Sequence, residues 1–144
     1  MKIFTIGFTK KSAEEFFARL TEAGVRRVVD IRLNNTSQIA GFAKARDLEF
    51  FLRAIAGIDY LHSPDLAPTQ DILDGFVKAK GPWSEYAQGF TKLMETRRVV
   101  ETFAGKLLDG DCLLCSEDTP EHCHRRLVAE HFQQHWPDVE IIHL

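Results

Sequence analysis

The sequence predicts a three-layer α/β domain of Rossmann-like type, with a mostly parallel sheet of about five strands and helices on both faces. Short apolar, β-branched segments alternate with amphipathic helical segments along the chain. Near the N-terminus, a strand, a helix and a second strand follow one another within about thirty residues, which is typical of a parallel crossover. Because the 144 residues contain no repeat or linker, we expect a single domain over residues 1–144.

The first half of the chain contains clear start and stop signals. Ser12 and Glu15 have the spacing of a capping box and predict a helix that begins at Ala13. Gly24 predicts the end of this helix. The other elements predicted here are strands at residues 2–6, 25–31 and 58–62 and a helix at residues 43–56.

The second half is predicted to be mainly helical. Helices are expected at residues 69–79 and 83–107, separated by a Lys-Gly-Pro segment. A strand at residues 111–116 follows, and Pro120 is predicted to open a helix. The last predicted strand covers residues 139–143.

Composition and charge exclude several classes of protein. The net charge of −3 argues against a nucleic-acid-binding protein that relies on a general positive charge. The apolar runs are only a few residues long, so no transmembrane helix is expected. The N-terminal residues become polar too quickly for a secretory signal, and we therefore expect a cytoplasmic protein.

Four predicted strands end in polar or reactive side chains. These ends are residues 7–10, 30–32, 60–62 and 115–117. In open parallel sheets, ligands bind outside the carboxyl ends of the strands. The sequence therefore predicts a binding site at this edge.

Asp30 and Arg32 lie two residues apart and are expected on the same side of their strand. One interpretation is an ion pair that closes the strand end. The other is direct contact with a ligand, since an arginine held by a carboxylate binds phosphates and carboxylates well.

The segment from Cys115 to Arg126 combines thiols, imidazoles, a carboxylate and guanidinium groups. In one interpretation, Cys115 or Cys123 is a nucleophile with a pKa lowered by a helix N-terminus and nearby cations. Glu117 or a histidine then transfers a proton, while Arg125 and the helix amides hold an anion. Nine residues separate Cys115 from Arg125, more than in a cysteine phosphatase loop.

Two other interpretations of this segment remain open. Cys115 and Cys123 could form a partial zinc site with His124 or His62. A closed site that adds Cys112 is disfavoured, because side chains three apart in a strand point to opposite faces. Alternatively, the thiols are buried apolar groups and the basic residues form a solvated helix face. Cys112 itself is predicted to be structural.

The chain resembles the domain-of-unknown-function family 488. The resemblance rests on Thr5-Ile6-Gly7, Val28-Val29-Asp30-Ile31-Arg32, Ser37, Phe42 and Cys115-x-Glu117-x-x-Pro120-x-x-Cys123-His124-Arg125. It implies a small bacterial α/β protein and gives no settled activity. Phe8 stands where members often have histidine, so the resemblance supports no catalytic role there.

Together these observations predict an anion-binding or nucleotide-binding pocket at the carboxyl edge of the sheet. The expected partner is a phosphate-containing small molecule or a nucleic-acid fragment, handled by thiol or acid–base chemistry. The alternative is a non-catalytic binding module with structural or metal-binding Cys and His residues. We expect no cofactor, no resident metal and no membrane partner. The predicted catalytic residues are Cys115, Glu117, Cys123 and His124, and the predicted ligand-binding residues are Thr9, Asp30, Arg32, Asn34, Ser37, Tyr60 and Arg125.

Overall fold

Five strands form one parallel sheet. They are β1 (Lys2–Gly7), β2 (Arg27–Asp30), β3 (Asp59–His62), β4 (Asp111–Cys115) and β5 (Glu140–His143). Their order in the sheet is β3–β2–β4–β1–β5, and all four neighbouring pairs are parallel. The computed structural model describes residues 1–36 and 40–144.

Helices connect these strands. They are α1 (Ala13–Ala23), α2 (Ala45–Phe51), α3 (Gln70–Val77), α4 (Trp83–Thr96), α5 (Val99–Phe103) and α6 (His124–His135). A π-helical turn, Leu52–Ala56, continues α2, so the helix predicted at residues 43–56 is observed with a later start. Among the described residues, no helix combines the length and the apolar character needed to span a membrane.

The sheet has an apolar cluster on each face. Ile3 and Leu113 belong to the cluster that includes residues of α4, α5 and α6. Phe4 and Leu114 belong to the cluster that includes residues of α1 and α2. Successive strand residues point to opposite faces, which produces this division. The predicted α/β fold, with helices on both faces of a parallel sheet, is therefore confirmed.

The ends of α1 follow directly from the sequence. The Ser12 side chain accepts a hydrogen bond from the backbone N–H of Glu15, at 3.1 Å, as expected for an N-cap. Gly24 ends the helix in the left-handed conformation, with φ of 76°. Both predicted boundaries of α1 are confirmed.

The single helix predicted at residues 83–107 is wrong. Helix α4 ends at Thr96, and Arg98 adopts a left-handed conformation with φ of 53° before α5 begins. The break redirects the chain so that Val99 and Phe103 of α5 enter the same apolar cluster as α4. Tertiary packing therefore outweighs the continuous helical pattern of this segment.

The prediction that Pro120 opens a helix is also wrong. The Pro120 carbonyl accepts a hydrogen bond from the backbone N–H of Cys123, at 3.3 Å, within a turn. Cys123 is then the extended N-cap residue, and α6 begins at His124. This later start puts Cys123 and His124 at the junction between the loop and the helix.

Candidate functional site

A cleft of about 230 Å³ lies beside the carboxyl ends of β2 and β4. Cys115 is the last residue of β4, while Cys123 and His124 are at the start of α6. Side chains from α3 and α4 supply apolar lining on another side. The lining residues are Arg32, Leu33, Asn34, Pro68, Leu73, Phe76, Val77, Tyr86, Cys115, Ser116, Glu117, His122, Cys123 and His124.

Three buried groups meet where β4 and α6 adjoin the cleft. The sulfur atoms of Cys115 and Cys123 and a ring nitrogen of His124 all lie within 4.8 Å of one another. The distance from the Cys115 Sγ to the His124 Nδ1 is 3.3 Å. The structure therefore brings together three of the four residues predicted to be catalytic.

The environment of Cys115 favours its thiolate. Burial raises the pKa of Cys115, but hydrogen bonds from Cys123 and from the backbone N–H groups of Ser116 and Glu117 lower it. The positive charge of Arg125 acts in the same direction, and the net effect is a lowered pKa. The hydrogen bond to Cys115, followed by burial, raises the pKa of Cys123. The pKa of Cys115 is therefore the lower of the two, and Cys115 is the thiol of the pair that ionises first.

A carbonyl group fixes the protonation of His124. The Nε2 atom lies 2.7 Å from the Ile31 carbonyl oxygen, which can only accept a hydrogen bond. Nε2 must therefore carry a hydrogen. The 3.3 Å contact between Nδ1 and the Cys115 sulfur therefore contains a single proton, which a thiol donates to the neutral ring or an imidazolium donates to the thiolate.

A close backbone approach positions the loop after β4. A Cβ atom on Gly7 would lie 1.6 Å from the Glu117 carbonyl oxygen and 2.8 Å from Nη1 of Arg125. Only glycine leaves room for the loop at this point. On the same loop, the Ser116 carbonyl accepts hydrogen bonds from the backbone N–H and hydroxyl of Thr9.

Arg125 also holds this loop in place. Its guanidinium donates hydrogen bonds to the carbonyl groups of Glu117 and Asp118, and its side chain is fully buried. Arg125 and Thr9 are absent from the cleft lining, although both were predicted to bind the ligand. Their hydrogen bonds instead position the loop whose N–H groups face the Cys115 sulfur.

The carboxyl end of β2 carries a buried ion pair. Arg32 donates through Nε and Nη2 to the two carboxylate oxygens of Asp30, at 2.8 and 2.7 Å. The Tyr60 hydroxyl donates to the same carboxylate at 2.6 Å, and Asn35 lies beside both groups. Burial, followed by the hydrogen bond to Asp30, raises the pKa of Tyr60. Asp30 and Tyr60 therefore support Arg32 and do not line the cleft.

Arg32 has the ion pair that one interpretation of the sequence predicts, while its contact with a ligand stays a prediction. It forms the ion pair with Asp30, and it also lines the cleft. Among the residues the structure describes, its Nη1 has no hydrogen-bond partner, although the side chain is only 2% exposed. Nη1 is thus the guanidinium nitrogen that the ion pair with Asp30 leaves unused.

Aromatic side chains form the wall opposite the strands. The ring centroids of Phe76 in α3 and Tyr86 in α4 lie 5.2 Å apart. Tyr86 also stacks on Trp83, with a distance of 5.0 Å between ring centroids. The ring centroid of His122 lies 5.1 Å from that of Trp83. Burial, followed by the charge of Cys115, raises the pKa of Tyr86, so its hydroxyl stays protonated near the thiols.

Sequence reasoning did not include Phe76, Tyr86 and His122 in the site. The helical spacing of aromatic residues does not distinguish a core face from a cleft wall. Their role depends on how α3 and α4 pack beside the sheet edge, so the sequence contained no direct signal for it.

The remaining predicted residues differ in placement. Glu117 is exposed and lines the cleft, and Asn34 lines it as well. Ser37 lies outside the described residues. Cys112 is fully buried in the apolar cluster on the opposite face, which confirms its structural role.

The same three buried groups could hold a metal ion. Two thiolates and an imidazole form a ligand set suited to Zn²⁺. The hydrogen bond from His124 to the Ile31 carbonyl is the kind of outer contact that orients a ligating histidine. His62 is not part of this cluster, since its Nε2 lies 3.0 Å from the Arg32 carbonyl.

Comparison with known proteins places the chain in a family. The family model for the domain of unknown function DUF488 matches residues 12–132, which include every residue that lines the cleft. No curated protein and no solved structure matches the chain. Since the family model covers most of the 144 residues, the chain belongs to the DUF488 family.

Proposed function

We propose that this protein is a thiol-dependent enzyme in which Cys115 is the nucleophile toward a small ligand held in the cleft. One observation carries the proposal. The Cys115 sulfur lines the cleft, accepts hydrogen bonds from Cys123 and two backbone N–H groups, and lies 3.3 Å from His124. An activated thiolate beside proton-transfer groups is the arrangement that nucleophilic catalysis requires.

The chemical step follows from the protonation of the cluster. The Cys115 thiolate forms a bond to an electrophilic carbon of the ligand, and the bond from that carbon to its leaving group breaks. The leaving group departs with the bonding electrons and takes the proton of Cys123. Water then attacks the same carbon and releases Cys115 as thiolate, while the proton from water returns to Cys123. His124, through its Nδ1 atom, is placed to relay this proton.

Arg32 is the group that we expect to orient the ligand. Its Nη1 is available to donate to a ligand, because only Nε and Nη2 donate to Asp30. Glu117 lies at the cleft as an exposed carboxylate. The phosphate-bearing ligand predicted from the sequence stays a prediction.

Thiol alkylation at varied pH tests the proposal. Because the pKa of Cys115 is lowered, its thiolate persists at pH values at which ordinary thiols, with a pKa of about 8.5, are mostly protonated. We expect iodoacetamide to modify Cys115 fastest at neutral pH, and its rate to fall only as the pH drops through the lowered pKa. Peptide mass spectrometry after timed quenching measures each cysteine separately.

Cys112 is the internal control for this measurement. Burial raises its pKa, and it lies in the apolar cluster on the other face of the sheet. Cys112→Ser should leave the fast phase unchanged, and Cys115→Ser should remove it. A Cys115 that reacts no faster than an unperturbed thiol would contradict the proposed nucleophile.

A metal-binding module is the second candidate function, favoured by the mutual proximity of Cys115, Cys123 and His124. Metal analysis of protein purified without chelator distinguishes the two. About one zinc per chain, lost in Cys123→Ser but retained in Cys112→Ser, would support the module. A folded protein without bound metal and with a reactive Cys115 would support the enzyme.

A further inference from the structure

We infer that the cleft takes a single planar heteroaromatic ring with a hydrogen-bond acceptor on its edge, the chemistry of a free pyrimidine base. This inference rests on the proposed function, since it names the class of ligand that the same site would act on. Four independent observations support the inference. They are the size of the cleft, its aromatic wall, the unpaired Nη1 atom of Arg32 and the charges around the cleft.

The size of the cleft restricts the ligand. Its volume is about 230 Å³. Pockets for drug-sized molecules begin at about 300 Å³, so this cleft is smaller than a site that would enclose a whole nucleotide. A ligand with one ring matches the space better.

The wall of the cleft favours a flat, unsaturated ligand. Phe76 and Tyr86 line it with their rings 5.2 Å apart, and Leu73 and Val77 extend the apolar surface along α3. Aromatic side chains bind planar bases by stacking, because every base presents a π-face. A saturated or highly hydrated ligand would gain little from this wall.

Arg32 supplies a hydrogen-bond donor on the opposite side of the cleft. The Nη1 atom of Arg32 is buried and has no partner among the described residues. A buried donor without a partner costs free energy, and an acceptor on the ligand would relieve this cost. A carbonyl oxygen or a bare ring nitrogen on a heteroaromatic edge provides such an acceptor.

The charges around the cleft disfavour a phosphate group. Asp30 neutralises Arg32, and Arg125 is used by the loop carbonyl groups outside the cleft lining. Glu117 adds a carboxylate to the lining. A neutral ring with an acceptor edge avoids the like-charge repulsion that a phosphate dianion would meet.

Ligand titration tests the inference. The chain has two tryptophans, so the Trp136→Phe variant leaves Trp83 as the reporter, stacked beside Tyr86 and His122. Uracil, benzene and inorganic phosphate are titrated against this variant. We expect uracil to change the Trp83 emission with saturation, and we expect benzene and phosphate to fail at the same concentrations.

A pair of variants locates the binding site. Phe76→Ala should weaken uracil binding at least about fivefold, the lower end of what stacking on an aromatic side chain contributes. Phe50→Ala is the control, because Phe50 is 65% exposed and lies outside the cleft lining. Binding of benzene as tight as uracil, displacement of uracil by phosphate, or no uracil binding would overturn the inference. These comparisons hold in the Trp136→Phe protein even where Phe76→Ala does not fold.

Alkylation of Cys115 separates this inference from the proposed function. Uracil that binds should slow the reaction of Cys115 with iodoacetamide. If Cys115 is reactive and none of the probes slows its alkylation, the inferred ligand class is wrong and the proposed nucleophile is supported. If the protein binds uracil but Cys115 is unreactive, the inferred ligand class is supported and the proposed nucleophile is wrong.

Discussion

The positively charged guanidinium of Arg125 faces the loop carbonyl groups of Glu117 and Asp118. Its charge helps to lower the pKa of Cys115 without touching the cleft. A residue that was expected to bind an anion therefore acts as a positioning residue. The loop it holds presents two N–H groups to the Cys115 sulfur.

Replacing Arg125 with methionine should affect stability and thiol reactivity together. The change leaves the two carbonyl groups without their charged donor, and each such hydrogen bond contributes about 1.5–3 kcal/mol. We expect the free energy of unfolding in urea to fall by about 3 kcal/mol and the alkylation of Cys115 at neutral pH to slow. Arg126→Met, one residue along and only half-buried, should change both quantities little. Equal effects of the two substitutions would contradict the positioning role.

Gly7 should tolerate no side chain. In Gly7→Ala, the new Cβ would overlap the Glu117 carbonyl, so the loop must move. We expect a loss of about 1–3 kcal/mol in the free energy of unfolding, typical of overpacking, together with slower alkylation of Cys115. Gly89→Ala is the control, because nothing lies within 4 Å of its added Cβ inside α4. A stable Gly7→Ala protein with unchanged Cys115 reactivity would show that this close approach is unnecessary.

Two helices have similar N-caps but different relations to the cleft. Ser12 caps α1 and Thr69 caps α3, each through a hydrogen bond from a backbone N–H three residues later. Helix α3 contributes Leu73, Phe76 and Val77 to the cleft wall, whereas α1 contributes none of the lining residues. The consequences of losing a cap should therefore differ between these elements.

Thr69→Ala and Ser12→Ala should each lower the free energy of unfolding by about 1 kcal/mol, because an N-cap side chain satisfies an orphan helix donor. Only Thr69→Ala should also weaken uracil binding, since it loosens the start of the helix that carries Phe76. Thermal unfolding and Trp83 fluorescence measure the two effects. Weakened binding in the Ser12→Ala protein would argue that α3 has no special relation to the cleft.

Acid should destabilise the whole molecule through buried histidine. Burial, followed by the charge of His135, lowers the pKa of His131 from its ordinary value of 6.5, while Glu95 and Glu101 act in the opposite direction. The unfolded chain therefore binds the proton more tightly than the folded protein. The free energy of unfolding should fall as the pH drops below about 6.5, and this loss should level off below the folded pKa.

His131→Gln should make the free energy of unfolding less dependent on pH between about 7 and 5, a range set by the ordinary histidine pKa. Urea unfolding at several pH values gives the slope. His122→Gln is the matched control, because it makes the same substitution at an exposed histidine. The same slope in the His131→Gln protein and the unsubstituted protein would exclude His131 as the source of acid sensitivity.

The sequence by itself determined the features that depend on neighbouring residues. Alternating apolar patterns predicted the parallel α/β sheet, and Ser12 and Gly24 predicted the ends of α1. The polar ends of β2 and β4 predicted the edge where the cleft lies, and the segment from Cys115 to His124 predicted that thiol and imidazole groups lie there. These signals are local, because strand and helix periods and caps depend on residues a few positions apart.

Only the tertiary structure decided which side chains face the cleft. The hydrogen bonds of Arg125 and Thr9 to the loop depend on the close approach of Gly7 to Glu117, more than one hundred residues away in sequence. Phe76 and Tyr86 became the cleft wall because α3 and α4 pack beside the sheet edge. Such contacts depend on how distant segments pack together, and no short sequence pattern encodes that packing.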